Sequence, residues 1–181
     1  MVVRLNDVRL AFSQNLFVAG AIKAGDKPKF SCCFLMPKGS ELVATVNKAV
    51  EQVALEKWVA KTPAILKGIR ADGKLCFKDG DTKAEYNGYE GAMVLNASNS
   101  IAPVVVDRDR SPLTETSGRP YAGCYVNASV DIWAQDNEWG KRINASLRAV
   151  QFLRDGDAFA GSAPANAETE FDDVSDSGDL I

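Results

Sequence analysis

Tyr121, Tyr125 and Trp133 stand at odd positions of one stretch, with Gly123, Asn127, Ser129 and Asp131 between them. Arg142, Asn144, Ser146 and Arg148 stand at even positions of the next. Aromatic planes can stack on unpaired nucleic-acid bases, each stack being worth roughly 1–3 kcal/mol, and guanidinium groups neutralise phosphate. Asn and Ser can bond sugar or base edges. An ordinary solvent face mixes charges of both signs with Thr, so rings, arginines and small hydrogen-bonding groups in one array depart from it. The competing reading for each ring is packing beneath a helix or against a loop.

A second group repeats the theme. Phe77, Lys78, Lys83, Tyr86 and Tyr89 mix bases with rings and leave no apolar stripe, and Asn96, Ser98 and Asn99 follow with polar groups. With Phe12, Lys29 and Trp139 added, the candidate nucleic-acid contacts are Phe12, Lys29, Phe77, Lys83, Tyr86, Tyr89, Asn96, Tyr121, Tyr125, Asn127, Trp133, Trp139, Arg142 and Arg148. Charge supports the grouping. All 21 Lys and Arg fall within residues 1–154 together with 16 of the 24 acids, a net of +5, whereas 155–181 hold eight acids and no base. A basic body joined to an acidic end suggests polyanion binding, with a tail able to compete for the same surface.

Other chemistries lack their residues. The chain has no histidine, which removes Ser–His and Cys–His nucleophile pairs and imidazole metal ligands. Cys32, Cys33, Cys76 and Cys124 lack the paired spacing of a zinc site, so they read as free, reduced thiols, and no metal or cofactor is expected. Val104–Val106 leads into Asp107 and Asp109, a carboxylate placement a metal-dependent nuclease could use. No Glu-x-Lys follows to complete such a core, and the flanking arginines make the segment a charged turn. No glycine-rich phosphate loop is present. A non-enzymatic virion or scaffold protein is the other alternative, and it would show no salt-sensitive binding to oligonucleotides.

These residues need elements to hold them. Apolar Ala122, Cys124, Val126, Ala128, Val130 and Ile132 on Tyr121–Trp133, and Ile143, Ala145, Leu147, Ala149 and Leu153 on Lys141–Leu153, alternate with the polar array. With a turn at 136–140, they predict a long hairpin. Val2–Phe12 changes parity at Asn6-Asp7, which predicts a bulge. Lys29–Met36, Ala92–Asn99 and Pro103–Val106 read as strands. Ser40 as N-cap opens one helix running to about Ala60, closed by Thr62-Pro63, and 63–90 read as irregular. The expectation is a mostly β fold, a β-barrel with one inserted helix. Residues 1–160 would form the domain and 161–181, rich in Ser, Ala, Pro, Asn and acids, a disordered acidic tail. No apolar run approaches the ~18–20 residues of a membrane helix, and Met1–Asp7 lacks the order of a signal peptide, so a cytoplasmic address without membrane contact is expected.

Laid in order, several runs resemble a family of bacteriophage single-stranded DNA-binding proteins. They are Arg9-Leu10-Ala11-Phe12 with Asn15-Leu16-Phe17, Pro28-Lys29-Phe30-Ser31 leading to Pro37-Lys38, and Lys78-Asp79-Gly80-Asp81 ahead of Tyr89-Glu90-Gly91. Leu95–Asn99 then precedes Pro103–Asp107, and Tyr121-Ala122-Gly123-Cys124-Tyr125-Val126-Asn127-Ala128 is the most diagnostic run. Leu147–Gln151, Asp155-Gly156-Asp157 and Glu170-Phe171-Asp172-Asp173 complete the series. The resemblance implies an OB-fold-like barrel and sequence-tolerant, non-enzymatic binding of single-stranded DNA in replication or recombination. The address becomes the host cytoplasm if the chain is phage-encoded. It also implies an acidic tail (Phe171, Asp172, Asp173, Asp176, Asp179, Leu180 and Ile181) that docks replication proteins such as a polymerase, helicase or recombinase, and it admits weak homo-oligomers. Tails of this family often end in an aromatic residue, whereas this one ends Gly178-Asp179-Leu180-Ile181.

Overall fold

A computed structural model of the 181-residue chain describes residues 1–21 and 23–159. The elements are β1 (Val2–Gly20), β2 (Lys29–Pro37), α1 (Glu41–Trp58), α2 (Thr62–Ala71), β3 (Phe77–Asp79), β4 (Ala92–Asn99), β5 (Val104–Val106), β6 (Tyr125–Asn137) and β7 (Gly140–Arg154). The strands hydrogen-bond in the order β3-β4-β2-β1-β6-β7-β5, and a further β4–β7 pairing at Ser98 and Ser146 closes β4, β2, β1, β6 and β7 into a five-stranded barrel. This is the mostly β barrel that the alternation predicts and the OB-fold-like architecture that the resemblance implies. The expectations for the tail from 161 onward, Phe171, Asp172, Asp173, Asp176, Asp179, Leu180 and Ile181 included, lie outside the described residues.

Closure requires inward side chains from every strand. Leu5, Val8 and Leu10 of β1, Phe34 and Met36 of β2, Leu95 of β4, Val130 and Ile132 of β6, and Ile143, Leu147 and Phe152 of β7 fill the interior, each at most 2% exposed. The helical segment packs on this core through Val46, Ala49, Val50, Val53, Ala54 and Trp58, and the Trp58 indole donates to Asp136 Oδ2 at 2.8 Å. Ser40 caps α1 as expected, accepting from Val43 N at 3.4 Å.

The structure differs from the sequence pattern in three places. Pro63 does not end the helical segment: it sits in the first turn of α2, where its missing N–H costs nothing and its fixed φ suits a helix. The stretch read as irregular therefore begins with a ten-residue helix and later contains β3. β6 begins at Tyr125 rather than Tyr121, because Gly123 has φ +109 and turns the chain before pairing starts. β1 carries the bulge expected at Asp7, where φ is +53, and a second one at Phe12, where φ is +52. Leu10 and Ala11 alternate in the ordinary way, one in the barrel core and the other in the outer apolar cluster, and the second bulge then keeps Phe12 on the side of Ala11, with its ring turned outward.

Candidate nucleic-acid interface

An open groove of roughly 1140 Å³ runs across the outer face of β2 and β4, bounded by the β1–β2 turn, the loop after β3, and the tip of the β6–β7 hairpin. Counting the barrel strands β1, β2, β4, β6 and β7 as first to fifth, this is the face of strands two and three with the loops one-two and four-five. OB-folds bind oligonucleotides there.

Nine of the residues expected from the sequence meet in this groove: Phe12, Lys29, Lys83, Tyr86, Tyr89, Asn96, Trp133, Trp139 and Arg142. Three of the rings form one unit. Phe12 lies edge-on to Tyr86 (5.3 Å between centroids) and to Tyr89 (6.0 Å), and Tyr86 lies edge-on to Tyr89 (5.3 Å). Tyr89 is buried, whereas Phe12 and Tyr86 each keep an exposed surface toward the groove. A non-glycine residue in the left-handed region is strained by about 1–2 kcal/mol. At Phe12 that strain is what delivers the ring to the trio.

The opposite wall carries the indoles. Trp133 Nε1 donates to Ser146 Oγ at 3.0 Å, which fixes its ring across the hairpin. Trp139 occupies a two-residue turn between Asn137 and Gly140, and its N–H donates to Asn137 Oδ1 at 3.0 Å. Its side chain is free of the core, with 77% of the residue exposed. Between the two walls, Asn96 Oδ1 accepts from the Cys33 thiol at 3.0 Å.

Cations outnumber acids in the groove: Lys29, Lys74, Lys78, Lys83 and Arg142 against Asp26 and Asp79. Lys78, Lys83 and Arg142 line it, and among the described residues none of the three forms an ion pair. Partial desolvation, then the repulsion of Lys83 and Arg142, holds the Lys78 ammonium below the usual lysine value. Cations left unpaired and mutually repelling make a site that an anion would relieve. Lys83 also stands 5.7 Å from the Tyr86 ring centroid, so charge and stacking surface are adjacent.

The family model of the ssDNA-binding protein of Enterobacter phage Enc34 matches residues 1–181. The chain belongs to this family. A curated relative, protein p50 of Acyrthosiphon pisum secondary endosymbiont phage 1, is 46% identical over 178 residues, covering 97% of this chain and 95% of its own. Among solved structures, the single-stranded DNA-binding protein from bacteriophage Enc34 in complex with ssDNA is 27% identical, with a TM-score of 0.74 over 88% of this chain and 89% of that one. Gp2.5, a single-stranded DNA-binding protein encoded by bacteriophage T7, shares the fold at 10% identity, with a TM-score of 0.57 over 100% of this chain and 98% of that one.

In this member of the Enc34 family, five of the expected contacts fall elsewhere. Phe77 is 2% exposed and packs in the barrel core, with no face left for a base. Tyr121 packs against the core as well: its hydroxyl donates to Asp155 Oδ1 at 2.8 Å and accepts from Gly156 N at 3.2 Å. Tyr125 lies outside the groove, with the Arg154 guanidinium 3.6 Å from its ring centroid and Arg9 at 5.7 Å. Asn127 accepts from the bulged Asp7 N–H at 3.1 Å and donates to Gln151 at 3.2 Å, which pins the first β1 bulge. Arg148 is exposed at a register shift in the β6–β7 ladder, beyond Ser146 where β7 leaves β4 for β5. The hairpin's outward side is therefore divided between two surfaces, and strand parity cannot show where one ends.

Sequence reasoning also passed over groove residues. In the sequence Lys78 stands out only as part of a mixed loop, and Cys33 only as a thiol. The thiols do not add reactivity: burial pushes Cys76 up to about 12 and Cys124 up to about 11, and raises Cys32 and Cys33. Asp107 pairs with Arg119 at 2.7 Å and Asp109 accepts from Ser111, so both carboxylates of the expected nuclease alternative serve a turn. Among the described residues no helix is long and apolar enough to cross a membrane.

Proposed function

We propose that this protein binds single-stranded DNA without sequence preference, in phage replication or recombination, by stacking bases on groove rings and neutralising phosphates with groove cations. The observation that carries the reading is the convergence of exposed Phe12, Tyr86, Trp133 and Trp139 on one groove with Lys78, Lys83 and Arg142, none of which forms an ion pair among the described residues. A duplex hides its base planes, so the rings favour unpaired strands. The complex of the Enc34 protein with ssDNA, 27% identical to this chain, supports the same reading.

No catalytic step is part of it, and the site of action is the host cytoplasm. The acidic segment 161–181 is proposed to recruit replication proteins through Phe171, Leu180 and Ile181 among its acids, and to compete weakly with DNA for the basic body. Tryptophan fluorescence tests the groove reading. Oligo-dT should quench the emission of Trp133 and Trp139 saturably, and rising salt should reverse the quench as counterions return to phosphate. An emission unchanged at saturating oligo-dT, or a response insensitive to salt, counts against it.

A further inference from the structure

The last described residues return to the groove from behind. After β7, Asp155–Phe159 crosses the 121–124 turn: Phe159 N donates to Ala122 O at 3.0 Å, and Arg9 Nη2 donates to Asp157 O at 2.9 Å. The crossing is tight enough to need Gly123, where a Cβ would stand 2.1 Å from Asp157 O. The Phe159 ring then joins an apolar cluster on the outside of the barrel, formed by Ala11, Leu35, Tyr89, Ala92 and Val94. The Arg9 guanidinium caps the ring at 4.4 Å from its centroid.

This strap holds the groove's loop. Asn87 Nδ2 donates to Phe159 O, and a Cβ on Gly88 would meet the Phe159 ring at 2.6 Å, so Gly88 is the residue that lets the ring close in. Asn87, Gly88 and Tyr89 belong to the same loop as Lys83 and Tyr86. The base of that loop is fixed separately: Lys38 pairs with Asp79 at 2.6 Å and with Asp81, and Asp81 Oδ1 accepts from Gly91 N at 2.7 Å. The tip rests on Phe159 on one side and faces the groove on the other.

We propose that Phe159 is a positioning residue for single-strand binding, acting through the 80–91 loop and the buried Tyr89 ring to hold Tyr86 in its stacking pose without itself touching DNA. The proposal rests on the groove reading above. Its failure and that reading's failure are separable, because Tyr86 reports the groove and Phe159 reports the strap.

The test uses full-length protein, fluorescent oligo-dT and a double-mutant cycle of Phe159→Ala with Tyr86→Ala. Phe159→Ala should weaken binding about fivefold, the low end of what one stacked base contributes. On the Tyr86→Ala background the same change should cost less than about twofold, because the ring it positions is gone. Hydrogen exchange of the free protein supplies a second readout: amides of 82–91 should exchange faster in Phe159→Ala while those of β6 and β7 keep their protection. Equal losses with and without Tyr86, or no loss while Tyr86→Ala weakens binding, overturns the positioning role and leaves the groove reading intact. Wild-type protein that fails to bind oligo-dT overturns both. If Phe159→Ala does not fold, Asn87→Ala cuts the loop's hydrogen bond to the strap and leaves the apolar cluster whole. It must show the same dependence on Tyr86 in smaller measure, and an effect indifferent to Tyr86 overturns the proposal.

Discussion

Replacing Trp139 with Ala separates binding from folding more cleanly than any other change in the groove. The side chain stands on a two-residue turn, and 77% of the residue is exposed, so little of its surface supports the fold. A tryptophan can bury roughly 200 Å². About three-quarters of that is still open to water, and a stacked base covers about one face of the ring, near 75 Å². At about 25 cal/mol per Å² this is worth ~2 kcal/mol, inside the range of about 1–3 kcal/mol for base–aromatic stacking. Trp139→Ala should therefore weaken oligo-dT binding ~30-fold in a fluorescence anisotropy titration. The thermal midpoint should move by no more than about 2 °C. Affinity within twofold of wild type would show that no base stacks at the hairpin tip. A midpoint that falls by many degrees would show that the indole is packed, contrary to its exposure.

The placement of the other residues sets four further outcomes. Arg142→Ala should reduce the salt dependence of oligo-dT binding by about 0.7 in the slope of log K against log salt, the value for one phosphate contact on a single strand. Arg148→Ala, on a different surface of the hairpin, should leave the slope unchanged in the same titration. Lys78 has a lowered pKa in the free protein, and a bound phosphate would favour its charged form, so affinity should fall as pH rises from neutrality to about pH 10. Lys78→Arg should flatten that decline in binding isotherms taken across the range, since arginine stays charged. Tyr121→Phe deletes the hydroxyl bonded to Asp155 and Gly156 and should lower stability by about 1 kcal/mol in urea unfolding, with oligo-dT affinity unaltered.

Strand parity made the barrel readable because inward residues of β2, β4, β6 and β7 as far as Leu147 are apolar at every second position; beyond the register shift at Arg148, Val150 and Phe152 enter the core in place of Ala149 and Leu153, which the alternation predicts. It stopped being readable where parity breaks. The bulge at Phe12 has no turn residue to announce it, since its left-handed backbone is imposed by packing rather than by glycine. Phe77 stands among polar neighbours in the sequence and looks exposed, yet it pairs opposite Leu95 and enters the core. Pro63 reads as a terminator because the same missing N–H that breaks a helix interior is harmless in its first turn. Phe159 falls in a stretch of acids and small residues and carries no periodic signal, so its partners, Tyr89 and Gly88, are visible only in three dimensions. Tyr121 and Trp133 look equivalent in the sequence. They differ because Gly123 turns the chain between them, which sends one ring to the core side and leaves the other on the groove.

In the proposed binding mode, single-stranded DNA lies across the groove of β2, β4 and the hairpin tip. Photocrosslinking tests it most directly, using an oligo-dT in which iodo-deoxyuridine replaces thymine at successive positions, followed by peptide mapping of the adducts. Adducts are expected on Phe12, Tyr86, Trp133 and Trp139, all suppressed by excess unlabelled oligo-dT. Adducts confined to Tyr125 and its neighbours on the other surface, with the groove rings unmodified, would contradict it.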